Sequence, residues 1–390
     1  MQPTDPTPEP DRARSRRAAR YLSRRERFLR LLALFALLYA FLVAVDALGT
    51  GIAGLGADVT DQLFRGIDRP LVGLFVGILA TVLAQSSSVT TATVVGMVGT
   101  GVIGVEDAVF VVMGANVGTT ITNTLASVGS IRRSEEFRRA FTGATMHDVF
   151  NLASVAVLAP LEAATGILSR TAVVLSGPFG DIATGEFRSP AKALVAGATG
   201  ALEGAAVALA GETALASILL ILVAVALIFG TLFGVTRTMR AVIAGPAERS
   251  LNAVLGRAGV LGIIVGAVLT VSVQSSSIAT SLLIPMIAAG VLSLDNAYPI
   301  TLGANLGTTI TALLAALAVD RIEGLQIALV HLLFNLGGLA IFYPVPFLRR
   351  LPLRLARRLG AFAVRRRVAV IVYIVLGFYA VPLVGILLLR

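Results

Sequence analysis

Cysteine and tryptophan are both absent from this chain of 390 residues. Without a thiol there is no disulfide, no thiolate nucleophile and no cysteine-bound metal, and the redox compartment leaves no mark. Without tryptophan, any aromatic belt at a membrane surface rests on tyrosine and phenylalanine. Charge is scarce too: 14% of residues are Asp, Glu, Lys or Arg, 56% are hydrophobic, and the mean hydropathy is +0.88. That polar surface is too small to cover a soluble globule, so the chain is expected to be an all-α polytopic membrane protein.

The net charge of +10 is unevenly placed. Residues 1–28 hold eight Arg against four acids, and residues 349–367 hold eight Arg and no acid, which leaves the remainder slightly acidic. Nucleic acid is therefore not an expected partner. The two basic segments read as positive-inside flanks, which puts both in the cytoplasm of a multi-pass cell-membrane protein, within reach of anionic lipid headgroups. Residues 1–28, rich in Pro and Arg and lacking an apolar run, are expected to form a disordered arm.

What the chain does have is a repeat. Aligned without a gap from Gln85 and from Gln274, 189 positions on, 17 of 40 residue pairs are identical, including the words QSSS, GAN and GTTIT. The shared text is the polar part of an apolar sequence, which is how many secondary transporters assemble a central site. The same offset carries the apolar run 29–46 onto another at 214–236. The expected organisation is a repeat over 29–160, a linker over 161–213 with one short amphipathic helix at 191–211, and a second repeat over 214–348. Residues 349–390 add a basic segment and an unpaired C-terminal transmembrane helix. If the QSSS segments are re-entrant, the basic turns make the two repeats inverted across the membrane; if they are broken helices that cross fully, the parity changes.

QSSS occupies Gln85–Ser88 and Gln274–Ser277, with apolar stretches on both sides. Four polar side chains in hydrocarbon need partners, and hydroxyls that compete for backbone groups favour an interrupted helix. Each interruption creates a helix start whose free amides suit an anion, while exposed carbonyl and side-chain oxygens suit a small hard cation. No Lys or Arg lies in either word, so an anion would be held by amides, hydroxyls and co-bound cations. The oxygen-only donors fit an alkali ion better than a transition metal. Packing glue between helices is the bland alternative, and the recurrence of the word argues against it.

The second word, GANVGTTIT at 114–122 and GANLGTTIT at 303–311, sets Asn116 and Asn305 each 31 residues after its glutamine. Glycines around Asn are expected to unwind the helix locally, although close packing of small residues uses the same composition. A phosphate-binding P-loop would need a lysine that is missing here. A third echo pairs HDVFN at 147–151 with HLLFN at 331–335, which contain both histidines of the chain. Lacking a carboxylate pair, they are expected to hydrogen-bond between helices rather than bind metal, and Asp148 has no acidic twin. Glu106, Asp107, Asp295 and Asn296 read as helix caps, with Pro299 in a first turn.

Paired QSSS segments, GAN-x-GTT words and H-x-x-F-N echoes together resemble the type II sodium-dependent phosphate cotransporters and their prokaryotic relatives, over about 70–155 and 258–340. The resemblance implies sodium-coupled uptake of inorganic phosphate by alternating access, with no cofactor and no enzymatic step. It assigns phosphate contacts to Gln85, Ser86, Ser87, Ser88, Gln274, Ser275, Ser276 and Ser277. Sodium shells would draw on Ser88, Asn116, Thr119, Thr120, Ser277, Asn305, Thr308 and Thr309. Rival readings are a carrier of another oxyanion such as sulfate or a carboxylate, an anion channel, and an intramembrane serine hydrolase, which would need a base beside its nucleophile.

Overall fold

The computed structural model describes residues 24–56, 66–67, 69–184, 190–254, 259–319 and 321–389. Most of the basic arm expected at 1–28 lies outside the described residues; 24–28 begin the first helix. Every regular element among the described residues is helical, and seven stretches are long and apolar enough to cross a membrane.

The order begins with α1 (Arg24–Ala53), the short pair α2 (Pro70–Ala84) and α3 (Ser87–Gly99), then α4 (Val105–Gly118), α5 (Ile121–Val128) and α6 (Ser134–Thr165). Residues 161–213 contain two helices, α7 (Ile167–Thr184) and α8 (Pro190–Ala210), rather than one. The pattern then recurs as α9 (Ala214–Val254), α10 (Val260–Val273), α11 (Ser276–Ser281), α12 (Leu283–Ala288), α13 (Leu294–Ala316) and α14 (Ile322–Phe342). After it come α15 (Pro346–Arg365), α16 (Val368–Ile374), a π-helical turn (Val375–Ala380) and α17 (Val381–Leu389).

The turn after α2 sets the site. At 1.5 Å per residue α2 reaches about 22 Å, short of the roughly 30 Å hydrocarbon thickness. It ends where Gln85 turns left-handed at φ 51° and Ser86 becomes extended at φ −156°. The chain then folds back, because Thr81 Oγ1 lies 3.0 Å from Thr90 Oγ1, a pair that a straight helix would separate by about 13 Å along its axis. The same turn closes α10, with Gln274 at φ 53° and Ser275 at φ −159°. Among the described residues these glutamines are the only non-glycine positions with positive φ.

Each hairpin leans on the helix carrying the GAN word. Gly77 of α2 sits on the carbonyl of Val111 and Gly114 of α4 on that of Leu74, and with Gly73 against Phe110 and Gly118 against Thr81 the two run parallel; Gly266 and Gly303 repeat the contact on Ile300 and Ile263. These glycines serve close approach rather than unwinding. The expectation of unwound helix at Asn116 and Asn305 is corrected accordingly: α13 runs unbroken through its GAN word, and the first copy breaks only at Thr119 and Thr120. The capping expectation is corrected too. Gly104 caps α4 without a side-chain bond, Ser293 caps α13 by accepting from the Asn296 amide at 3.2 Å, and Pro299 lies beyond the first turn.

Helices α1 and α9 pack antiparallel, with Gly51 against Ser217 and Ile221, and Gly234 against Leu37. The basic α15 is amphipathic: Leu353, Ala356, Gly360 and Ala363 are buried while Arg354, Arg357, Arg358 and Arg365 are exposed. Its Arg357 pairs with Asp295 at 2.9 Å.

Candidate functional site

The two QSSS turns meet. One cavity of about 620 Å³ is lined by Gln85, Ser86 and Val89 from the first turn, Gln274, Ser275, Ser277 and Ile278 from the second, and Thr122. Its remaining wall is apolar, from Ala84 and from Phe229, Leu232 and Phe233 of α9, apart from Arg237 one turn further on. Ser87, Ser88 and Ser276 lie behind this lining, buried in the first turns of α3 and α11.

Glutamine suits the left-handed position because its own amide closes the helix it ends. Gln85 Nε2 donates to the Val82 carbonyl at 2.6 Å, and Gln274 Nε2 to Val271 at 2.7 Å. Each satisfies one of the carbonyls that a helix end leaves open. Gln274 Oε1 accepts from Thr311 of the GTTIT word at 3.0 Å. On the far side of each turn, Ser86 and Ser275 accept from the amides of Val89 and Ile278, both at 3.3 Å, and start the next helix.

The threonines share one polarity. Thr119, Thr120, Thr308 and Thr309 donate their hydroxyl protons to the carbonyls of Ala115, Val117, Ala304 and Leu306 at 2.9, 2.8, 3.1 and 2.7 Å. What each has left to offer is an oxygen lone pair, the donor a hard cation takes. All four are buried.

Behind the tips, a chain of amides joins the two repeats through His147. Thr280 Oγ1 donates to Asn123 Oδ1 at 2.9 Å, and Asn123 Nδ2 lies 3.1 Å from His147 Nδ1. His147 Nε2 lies 2.6 Å from Asn305 Oδ1, Asn305 Nδ2 donates to Asn151 Oδ1 at 2.7 Å, and Asn151 Nδ2 donates to the Asn116 carbonyl at 2.7 Å. The direction of the flanking amides assigns a neutral ring protonated at Nε2. His147 thus bonds between helices as expected. Its twin does not: neither ring nitrogen of His331 has a partner among the described residues.

Three participants lay outside the sequence expectations. Arg237 brings a guanidinium to a cavity expected to have no fixed cation, which corrects that expectation. Asn123 anchors His147. Tyr373, from the C-terminal span, donates to Asp148 Oδ2 at 2.7 Å, beside Thr124 Oγ1 at 3.2 Å. No group of three or more His, Cys, Asp or Glu arranged for a metal occurs among the described residues.

Comparison with known proteins follows the same residues. The Na+/Pi-cotransporter family matches residues 40–171 and 226–344. The chain is 33% identical to sodium-dependent phosphate transport protein 2A of Ovis aries over 422 aligned positions, covering 90% of this chain and 66% of that protein. It is 32% identical to protein 2B of Homo sapiens, covering 91% and 64%, and 33% identical to protein 2A of Rattus norvegicus, covering 88% and 65%. The chain therefore spans slightly less than two thirds of the length of these relatives. No solved structure matches.

Proposed function

The chain belongs to the Na+/Pi-cotransporter family, and from that premise we propose that it carries inorganic phosphate across the cell membrane together with sodium, binding both between the two QSSS turns. The observation that carries this reading is the shared cavity: turns 189 residues apart line one space with hydroxyls, amides and a glutamine from each side. Phosphate is held by Gln85, Ser86, Ser87 and Ser88 with Gln274, Ser275, Ser276 and Ser277. Sodium is held by oxygens of Ser88, Asn116, Thr119, Thr120, Ser277, Asn305, Thr308 and Thr309, with membrane lipid around the whole.

Moving a multiply charged oxyanion out of water is prohibitive without compensation. Co-bound sodium supplies that compensation, which is why binding of the two is coupled. The antiparallel packing of α1 on α9, helices related by the sequence offset, supports inverted repeats and with them alternating access. The sign of the basic flanks supports a cytoplasmic N-terminus and residues 349–367. Relatives named as sodium-dependent phosphate transporters support the choice of ions.

Radiolabelled phosphate uptake into proteoliposomes, with and without a sodium gradient, tests the reading. Uptake is expected only with the gradient, with Ser87→Ala and Ser276→Ala each reducing it. Arsenate is expected to compete and sulfate is not. Uptake indifferent to sodium and to both substitutions would overturn the assignment. A second expectation concerns Arg237, whose exposed charge draws the anion to the cavity mouth. Arg237→Gln should raise the phosphate KM severalfold at low ionic strength with the maximal rate kept, and the difference should shrink in high salt. An unchanged KM at low salt removes Arg237 from the site.

A further inference from the structure

We propose that His147 and His331 are positioning residues that act in alternation, each holding the GAN asparagine of the opposite repeat, with one held in one facing of the carrier and the other in the opposite facing. The proposal rests on the carrier reading above. In this structure His147 of the first repeat holds Asn305 of the second at 2.6 Å. The corresponding pair is His331 of the second repeat with Asn116 of the first, and that bond is not made. Asn116 Oδ1 instead accepts from Asn335 Nδ2 at 3.2 Å.

The unmade half has all its parts. Helix α14, which carries His331, packs against α4, which carries Asn116, as α6 packs against α13 in the made half. His331 is 1% exposed, and neither of its ring nitrogens nor Asn335 Oδ1 has a partner among the described residues. Buried polar groups are rarely left so. Three unsatisfied atoms, two on His331 itself and one on Asn335 a turn away, fit a bond that belongs to another state. Repeats built from the same words can exchange conformations, which gives that state its form: His331 holding Asn116, and His147 released.

The two halves are unequal. His147 has a second partner in Asn123, whose counterpart under the 189-residue offset is the buried Ala312. His331 therefore has one side-chain bond to gain where His147 has two, which biases the protein toward the arrangement seen here.

Because the chain contains no cysteine, Ile278→Cys in the cavity lining is a single reporter of this facing. Its labelling rate by a membrane-impermeant maleimide is read in proteoliposomes. His147→Ala is expected to slow labelling, because each of its two lost side-chain bonds moves the ratio of the two facings about fivefold toward the other state. His331→Ala should label no slower than the parent, and adding it to His147→Ala should restore the rate. His147→Gln, which keeps an amide donor, should stay near the parent. Slower labelling of His331→Ala, or a double variant as slow as His147→Ala, overturns the proposal. The first of these outcomes needs only the variant that removes no bond from the present state, so the test survives if His147→Ala does not fold. Labelling does not depend on what is carried. Uptake without sodium coupling alongside the expected labelling pattern would sink the phosphate reading and leave this one standing.

Discussion

Gln85→Leu and Gln274→Leu are each expected to lower sodium-driven phosphate uptake about 100-fold, equivalent to roughly 2.7 kcal/mol, in protein that still purifies as a folded species. The effect has two parts. Leucine must adopt the left-handed backbone at φ 51° or 53° without the amide that closes the preceding helix onto Val82 or Val271. Glutamine already bears the about 1–2 kcal/mol that a side chain costs in that region, and leucine bears it without the compensating hydrogen bond, worth about 1 kcal/mol. The second part is chemical, because the cavity lining loses one of its two glutamine side chains. Gln85→Gly and Gln274→Gly separate the parts. Glycine accepts positive φ at no steric cost, so these variants should be more stable than the leucine variants and transport no better. Thermal denaturation followed by uptake checks both statements. Near-parent uptake by the glycine variants would show that the glutamines shape the turns without touching the cargo.

The meeting of the two turns was legible in the sequence because a polar word repeated in apolar text has few uses, and membrane burial demands partners for every hydroxyl. Other features were hidden for identifiable reasons. Arg237 lies 37 residues before Gln274 in a basic stretch with the sign and spacing of a cytoplasmic flank; only the packing of α9 turns it toward the cavity. Tyr373 belongs to a helix without a counterpart, so no repeat logic reached it. The difference between the histidines was invisible in HDVFN and HLLFN, since its source is Asn123 against Ala312, 24 and 19 residues upstream. Around Asn116 and Asn305 the glycines allowed two readings. The helices stay wound around both asparagines, and the glycines are used by the neighbouring hairpin arms instead.

Gly114→Ala and Gly303→Ala, like their contact partners Gly77→Ala and Gly266→Ala, are expected to be among the most damaging single-methyl changes. A Cβ at Gly114 would collide with the Leu74 carbonyl, and one at Gly303 with the Ile263 carbonyl. Backbone meets backbone at both places, so no side-chain rotamer relieves the overlap. Overpacking a core costs typically 1–3 kcal/mol when side chains can adjust, and here the loss should be at least about 3 kcal/mol. Gly204→Ala is the matched control: it lies within α8 with nothing inside 4 Å of an added Cβ, where the extra methyl should stabilise the helix by up to about 1 kcal/mol. Detergent-solubilised protein should therefore show a sharp fall in melting temperature for Gly114→Ala and Gly303→Ala, and none for Gly204→Ala. The consequence reaches the site, because α4 carries Asn116 while α2 ends at Gln85, and their contact at Gly114 fixes the distance between the two. A Gly303→Ala protein that melted and transported like the parent would mean that the parallel packing of α10 on α13 is not what holds the second turn against the first.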